Sequence, residues 1–150
     1  MPQSLANVLV HLVFSTKDRK PILHDPIRSN LHAYIIGILK NHGSPSLEMN
    51  SVTDHIHILF SLSRTITIAK IVEEIKTGSS LWLKTQGGEY RDFHWQNGYG
   101  AFSIGQSQVE DLKNYIVNQP EHHRKISFQD EYRKFLKRYE IQYDERYVWD

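Results

Sequence analysis

Cysteine is absent from this 150-residue chain. That excludes disulfides, thiolate metal centres and a cysteine nucleophile. No internal repeat, low-complexity tract or linker interrupts the sequence. No apolar run approaches the roughly 20 residues that a membrane-spanning helix requires. The start, Met1-Pro2-Gln3-Ser4, lacks the basic-then-apolar order of a signal peptide. Both absences lead to the expectation of a soluble, cytoplasmic protein with no membrane partner. Charge of one sign is lacking too: 18 basic against 17 acidic residues leave a net +1, weak electrostatics for a nucleic-acid binder. What is present is a hydrophobic fraction of 39% with 23% charged residues, enough for a core in one domain spanning 1–150. Nine histidines are the unusual count; they bind metal or gain charge below about pH 6.5.

Hydrophobic periodicity orders the chain as β-α-β-β-α-β with further helices at its end. Asn7 to Phe14 reads as a strand rich in branched residues, followed by a basic connector, Lys17-Asp18-Arg19-Lys20-Pro21. Asp25 as cap and Pro26 at the first helical position open a helix with Ile27, Leu31, Tyr34, Ile35 and Ile38 on one face, stopped by Gly43 and Pro45. Short strands follow at 47–51 and 54–62, then a helix from Ile66 to Lys84. Phe93 to Ile104, aromatic and punctuated by glycine, reads as a fourth strand bent at Gly98 or Gly100, and two helices are predicted near 107–123 and 128–141. This is the order of an α+β, ferredoxin-like fold, an antiparallel four-stranded sheet with helices on one face. Its other face is free for a site or a partner.

Two segments carry chemistry. In Asp54-His55-Ile56-His57-Ile58 the strand period of two projects His55 and His57 together, with Ile56 and Ile58 toward the core. Two imidazoles side by side can chelate a divalent metal; as a bare pattern they read equally as strand histidines satisfied by hydrogen bonds. In Asn114-Tyr115-Ile116-Val117-Asn118-Gln119, Tyr115 and Gln119 are four apart on a helix and share a face. Turned toward the histidines, that face offers a hydroxyl and an amide oxygen. Tyrosine is a covalent nucleophile in some enzymes, yet its phenol ionises near pH 10 and needs help. Alone, the pair also reads as a half-buried tyrosine with a polar neighbour.

These segments, together with Trp95-Gln96-Asn97-Gly98-Tyr99-Gly100-Ala101-Phe102-Ser103 and Glu121-His122-His123, resemble the IS200/IS605-type transposases, the single-tyrosine members of the HUH endonucleases. The resemblance runs from about Asn7 to Tyr143. It implies His55 and His57 as metal ligands, Gln119 as the third, Tyr115 as the nucleophile, and Mg²⁺ or Mn²⁺ as the cofactor. It further implies cleavage and rejoining of single-stranded DNA at hairpin-bearing ends through a 5′-phosphotyrosine. A homodimer, with the tyrosine helix able to serve the partner's histidines, is part of the same implication. Pro120 departs locally: it deletes a helical hydrogen bond and biases Gln119 away from helical geometry, so the helix is expected to end near Gln119.

Other residues carry weaker readings. Lys17, Arg19, Lys20 and Lys76 are candidates for DNA phosphate contacts, or are soluble surface. His122 and His123, three and four residues past Gln119, can approach the metal or DNA phosphates, or form a solvated polar helix end, the reading preferred. Phe93, Trp95, Tyr99 and Phe102 can stack on unpaired bases, with core or dimer interface preferred for Trp95 and Phe102. Residues 124–150, seven basic and six acidic, read as a packing helix rather than a DNA arm. Two alternatives stand beside the transposase: a relative processing chromosomal repeat hairpins, and a non-catalytic single-stranded DNA binder. A histidine-triad hydrolase is excluded because Leu59 stands where its third alternate histidine belongs.

Overall fold

The computed structural model describes residues 2–150; Met1, which opens the leader reading, lies outside them. Its centre is β1 (Leu9–Ser15), whose LVHLVFS sequence is buried at every position. β1 pairs antiparallel with β3 (His55–Ser61) on one side and β4 (Gly100–Ile104) on the other, and β2 (Ser46–Ser51) extends the sheet beyond β3. The order β2-β3-β1-β4 is the ferredoxin-like arrangement expected.

Alternation decides which residue meets which layer. Val10, Leu12, Phe14, Ile56, Ile58 and Phe60 pack under α1 (Asp25–Asn41) and α2 (Ile68–Lys84). Their helical partners are Leu31, Ile35, Leu39, Ile71, Val72 and Ile75. α1 opens one residue earlier than its sequence suggests: His24 is the capping position, and Asp25 sits in the first turn pairing with Arg28. Gly43, with φ +63°, turns the chain out of α1 as the Gly43–Pro45 punctuation requires.

The opposite face is not free. Three C-terminal helices cover it, α3 (Val109–Val117), α4 (Gln119–His122) and α5 (Phe128–Arg138). Val13 and Phe102 pack against Phe128, Tyr132, Phe135 and Leu136, while Leu9 and Leu59 pack against Val109 and Ile116. Gly100 permits this close docking: a Cβ there would stand 2.6 Å from Tyr132 Cε2.

Two predicted elements differ. Phe93 to Tyr99 is not strand but a packed loop with a single bridge, Thr16 to Trp95. Its aromatics serve the core: Trp95 sets its edge against Phe14 and Phe93, both at 4.8 Å, and its Nε1 donates to Ser79 Oγ at 2.9 Å. The helix expected over 107–123 is divided at Asn118 (φ −90°, ψ 14°), one residue before the expected end. Pro120 cannot donate to the carbonyl four residues back, and Asn50 of β2 takes up the slack, its Nδ2 donating to the Ile116 and Val117 carbonyls at 3.0 and 3.1 Å. No helix of the described residues is long and apolar enough to cross a membrane.

Candidate active site

The site lies between the sheet and the C-terminal helices. The register Ser15↔His55 and Val13↔His57 puts both histidines on the face covered by the C-terminal helices, where each is fully buried. A second hydrogen bond fixes each ring. Asp54 Oδ1 takes His55 Nδ1 at 2.6 Å, and His11 Nε2 meets His57 Nδ1 at 2.8 Å. With the Nδ1 atoms engaged, both Nε2 atoms point into one space, the arrangement that outer partners give metal-binding histidines.

α3 brings Tyr115 to that space. Its ring centroid lies 6.0 Å from that of His57, in the same chain. Gln119, at the start of α4, is 0% exposed. Its Nε2 makes only long contacts, 3.4 Å to the Tyr115 carbonyl and to Glu131 Oε2. Its Oε1 is buried without a hydrogen-bond partner among the described residues. Such an acceptor costs about 1–3 kcal/mol, and a buried, unpartnered amide oxygen is a donor of the kind a divalent cation uses. The residues His55, His57 and Gln119 therefore fit the metal that the resemblance implies.

Sequence reasoning missed Glu131, which occupies the middle of the site at 2% exposure. Oε1 stands 2.9 Å from His57 Nε2, 3.1 Å from His123 Nε2 and 3.5 Å from His55 Nε2. Oε2 accepts the Tyr115 hydroxyl and lies 3.5 Å from His122. A signal was available: in α5, Phe128, Glu131, Tyr132 and Phe135 repeat at helical spacing, so a carboxylate stands on an apolar stripe. His11 offered another, an imidazole between Val10 and Leu12 in an otherwise apolar run. His123 is not a solvated end, since Nε2 meets His55 Nε2 at 2.9 Å and Nδ1 meets the Ile126 carbonyl at 2.9 Å.

Electrostatics follow from burial and this carboxylate. Burial outweighs the pull of Glu131 on His57 and lowers its pKa to about 4. For His55 burial acts downward, but hydrogen bonds with Asp54 and Glu131 win and raise it. Burial opposes ionisation of Glu131, yet the hydrogen bonds of His123, His55 and His57 hold it well below the usual carboxylate range. Burial and the Glu131 charge push the Tyr115 phenol up. In this arrangement the Tyr115 hydroxyl is held protonated against Glu131.

A cleft of about 480 Å³ lined in part by Tyr115 opens between α3 and α5, with Leu112, Phe135 and Tyr139 as apolar walls and charges of both signs from Asp111, Glu131, Lys134 and Arg138. The Lys17–Arg19 turn follows β1 directly. Thr16 ties it to the site, its N donating to the Asp54 carbonyl at 2.9 Å and its hydroxyl to that of Lys20 at 2.8 Å. Asp18 and Arg19 hold φ of +56° and +55°, uncommon for residues with a Cβ. Lys76 lies elsewhere: its ammonium donates to the carbonyls of Gln96, Asn97 and Gly98 at 2.7, 3.2 and 2.6 Å, and burial lowers its pKa to about 8. All three of its protons serve that loop. Trp95 and Phe102 are buried, and Tyr99 is 36% exposed.

Fold and site together define an α+β protein that sets a histidine cluster of metal-ligand chemistry against a helix-borne tyrosine. The family described as "Transposase IS200 like" matches residues 4–119, so the chain belongs to the IS200-like transposase family. It is 26% identical over 121 residues to the transposase for insertion sequence element IS200 of Salmonella typhimurium strain LT2, across 77% of this chain and 78% of that protein. The Salmonella typhi counterpart matches equally. Among solved structures, a candidate transposase from Deinococcus radiodurans R1 has a TM-score of 0.62 at 19% identity, covering 79% of this chain and 98% of that one. A REP-associated tyrosine transposase bound to a REP hairpin has a TM-score of 0.61 at 14% identity, covering 84% and 74%. At those identities the two structures speak for the fold.

Proposed function

We propose that the chain is a metal-dependent strand transferase that cuts and rejoins single-stranded DNA at hairpin-bearing ends through a covalent bond to Tyr115. The observation that carries this reading is that the His55 and His57 Nε2 atoms, the Gln119 side chain with its unpartnered Oε1 and the Tyr115 hydroxyl are all gathered around Glu131. Tyr115 Oη attacks the scissile phosphorus in line. The bond from phosphorus to the 3′ oxygen breaks, leaving a 5′-phosphotyrosine and a 3′-OH that takes up a proton. The ester keeps the bond energy, so an incoming 3′-OH reverses the step without a nucleotide cofactor. When bound, Mg²⁺ or Mn²⁺ held by His55, His57 and Gln119 supplies Lewis-acid polarisation of the phosphate and offsets its developing charge.

The chain's own residues do the rest. Glu131 Oε2 takes the Tyr115 proton in a hydrogen bond and so turns the hydroxyl's lone pairs toward the cleft. Asp54 and His11 hold the two imidazole rings, and Asn50 anchors the end of the tyrosine helix. The strand would lie in the cleft beside Tyr115, with Lys17, Arg19 and Lys20 as phosphate contacts near the Asp54 end. Lys76, proposed with them from sequence, would have to release its loop carbonyls to join. A homodimer belongs to the same reading, the break at Asn118 allowing α3 to serve its own or a partner's histidines.

The test is a denaturing gel of the protein with labelled single-stranded DNA from the flanks of its own gene, with Mg²⁺ or Mn²⁺. A heat-stable adduct that needs metal and vanishes in Tyr115→Phe is expected. Hairpin binding with no adduct under any metal would instead support the non-catalytic binder. The likeness to a protein bound to a REP hairpin favours one variant of the reading, processing of chromosomal repeat hairpins. Repeat-hairpin substrates on the same gel separate it from mobilisation of an element.

A further inference from the structure

The donors converging on this space are more numerous than the three that the family resemblance supplies. We propose that Glu131 and His123 are themselves metal ligands, so that the ion is held by a carboxylate and three imidazoles in addition to the Gln119 oxygen. This rests on the metal-dependent reading above and extends its ligand set to residues beyond the tyrosine helix.

Three observations carry it. First, His55 Nε2, His57 Nε2, His123 Nε2 and a Glu131 oxygen all lie within 4.8 Å of one another. Donors at about 2.1 Å from a shared ion stand about 3 Å apart when adjacent in an octahedron. The separations here are 2.9 Å for His55 to His123, 2.9 Å for His57 to Glu131 and 3.1 Å for His123 to Glu131. These are the edges of a coordination shell drawn slightly together.

Second, His123 is prepared in the same way as His55. Its Nδ1 donates to the Ile126 carbonyl at 2.9 Å, which fixes the tautomer with the Nε2 lone pair inward. It meets His55 Nε2 at 2.9 Å. Two imidazole nitrogens so close need a positive charge between them, a proton in the metal-free protein or a shared metal ion in its place.

Third, Glu131 divides its two oxygens. Oε1 meets the imidazoles and Oε2 holds Tyr115. As a ligand through Oε1 it can keep Tyr115 on Oε2, so one carboxylate ties the nucleophile to the ion. Buried carboxylates are rare unless paired, and the partners of this one are imidazoles, which can be neutral donors rather than fixed cations. A set of imidazoles with a carboxylate favours Mn²⁺ over Mg²⁺, which prefers oxygen and water.

The experiment is Mn²⁺ titration of the full-length protein, without DNA, by calorimetry and by the electron-paramagnetic-resonance signal of free Mn²⁺. Wild type is compared with Glu131→Gln, His123→Ala and His55→Ala. Each of Glu131→Gln and His123→Ala is expected to weaken Mn²⁺ binding by at least about 10-fold to 100-fold, the loss usual even for outer partners of metal ligands. Pulsed electron paramagnetic resonance of the wild-type Mn²⁺ complex is expected to count three imidazole nitrogens, and this decides the matter even if a variant fails to fold. Two nitrogens, or unchanged affinity in Glu131→Gln and His123→Ala while His55→Ala loses it, overturns the added ligands and leaves the two-histidine reading standing. Wild type that takes up no Mn²⁺ overturns both.

Discussion

Replacing Gln119 with methionine separates its cost in the metal-free protein from its value with metal. Met has nearly the same length and volume and lacks the amide. In the metal-free protein the change removes a buried acceptor with no partner, relieving roughly 1–3 kcal/mol. It gives up two Nε2 contacts at 3.4 Å, near the outer limit of hydrogen bonding and worth well under a typical bond's ~1 kcal/mol each. The balance is a gain of about 1 kcal/mol, or roughly 2–4 °C in melting temperature for a chain of this size. With Mn²⁺ at about 100 times its dissociation constant, wild type gains about 2.7 kcal/mol from binding. A thioether is a poor ligand for that ion, so the variant gains less and the order of stability reverses. The assay is urea denaturation of both proteins with chelator and with Mn²⁺. A variant less stable than wild type in chelator would show that the Gln119 oxygen is not idle. An equal Mn²⁺ response in both would remove Gln119 from the ligand set.

Gly100→Ala places a Cβ 2.6 Å from Tyr132 Cε2 and 3.1 Å from the Phe102 ring. Tyr132 is itself held by Phe128, stacked at 5.4 Å, so α5 must lift; the expected loss is about 1–3 kcal/mol, accompanied by weaker Mn²⁺ binding through the neighbouring Glu131. Gly37→Ala, in α1 with nothing within 4 Å of its Cβ, should stabilise by about 0.5–1 kcal/mol, and equal urea midpoints for the two variants would refute the packing argument. Acid should weaken the metal-free protein through His32, whose pKa burial and the Arg28 charge lower to about 4. The unfolded chain then binds more protons between about pH 4 and 6.5, so stability falls as pH drops through that window. The contribution of this partly exposed ring is about 1–3 kcal/mol. His32→Gln, which can still bond Ser51 (2.7 Å from the His32 ring), should flatten the dependence on pH measured by urea melts at pH 7 and 4.5; parallel curves would refute it.

The elements that sequence revealed are those whose pattern is local. His55 and His57 share a face because a strand has period two, and Tyr115 and Gln119 were paired by the four-residue helical spacing, which survives the break at Asn118 closely enough to leave Gln119 Nε2 3.4 Å from the Tyr115 carbonyl. Neither inference needed to know what lay opposite. The loop at 93–99 misled because its aromatics have the composition of a strand, whereas their spacing serves to fill space around Phe14 and Ser79. Glu131 and His11 were hidden for a related reason. Glu131 reaches His57 across 74 positions and His11 reaches it across 46, distances over which no periodicity speaks. What the sequence did display was each polar residue standing in an apolar stripe, a debt whose creditor only the fold reveals. The helix break is intermediate: Pro120 announced it, but its placement at Asn118 depended on Asn50 offering donors from β2.

The site draws its parts from β1, β3, the tyrosine helix and α5, so the span from His11 to Glu131 covers most of the chain. The sheet is complete with β4 at Gly100–Ile104, yet the cluster around His57 is completed only by Glu131 of α5. A nascent or broken copy that ends before Phe128 therefore carries the tyrosine and both strand histidines without the carboxylate that joins them.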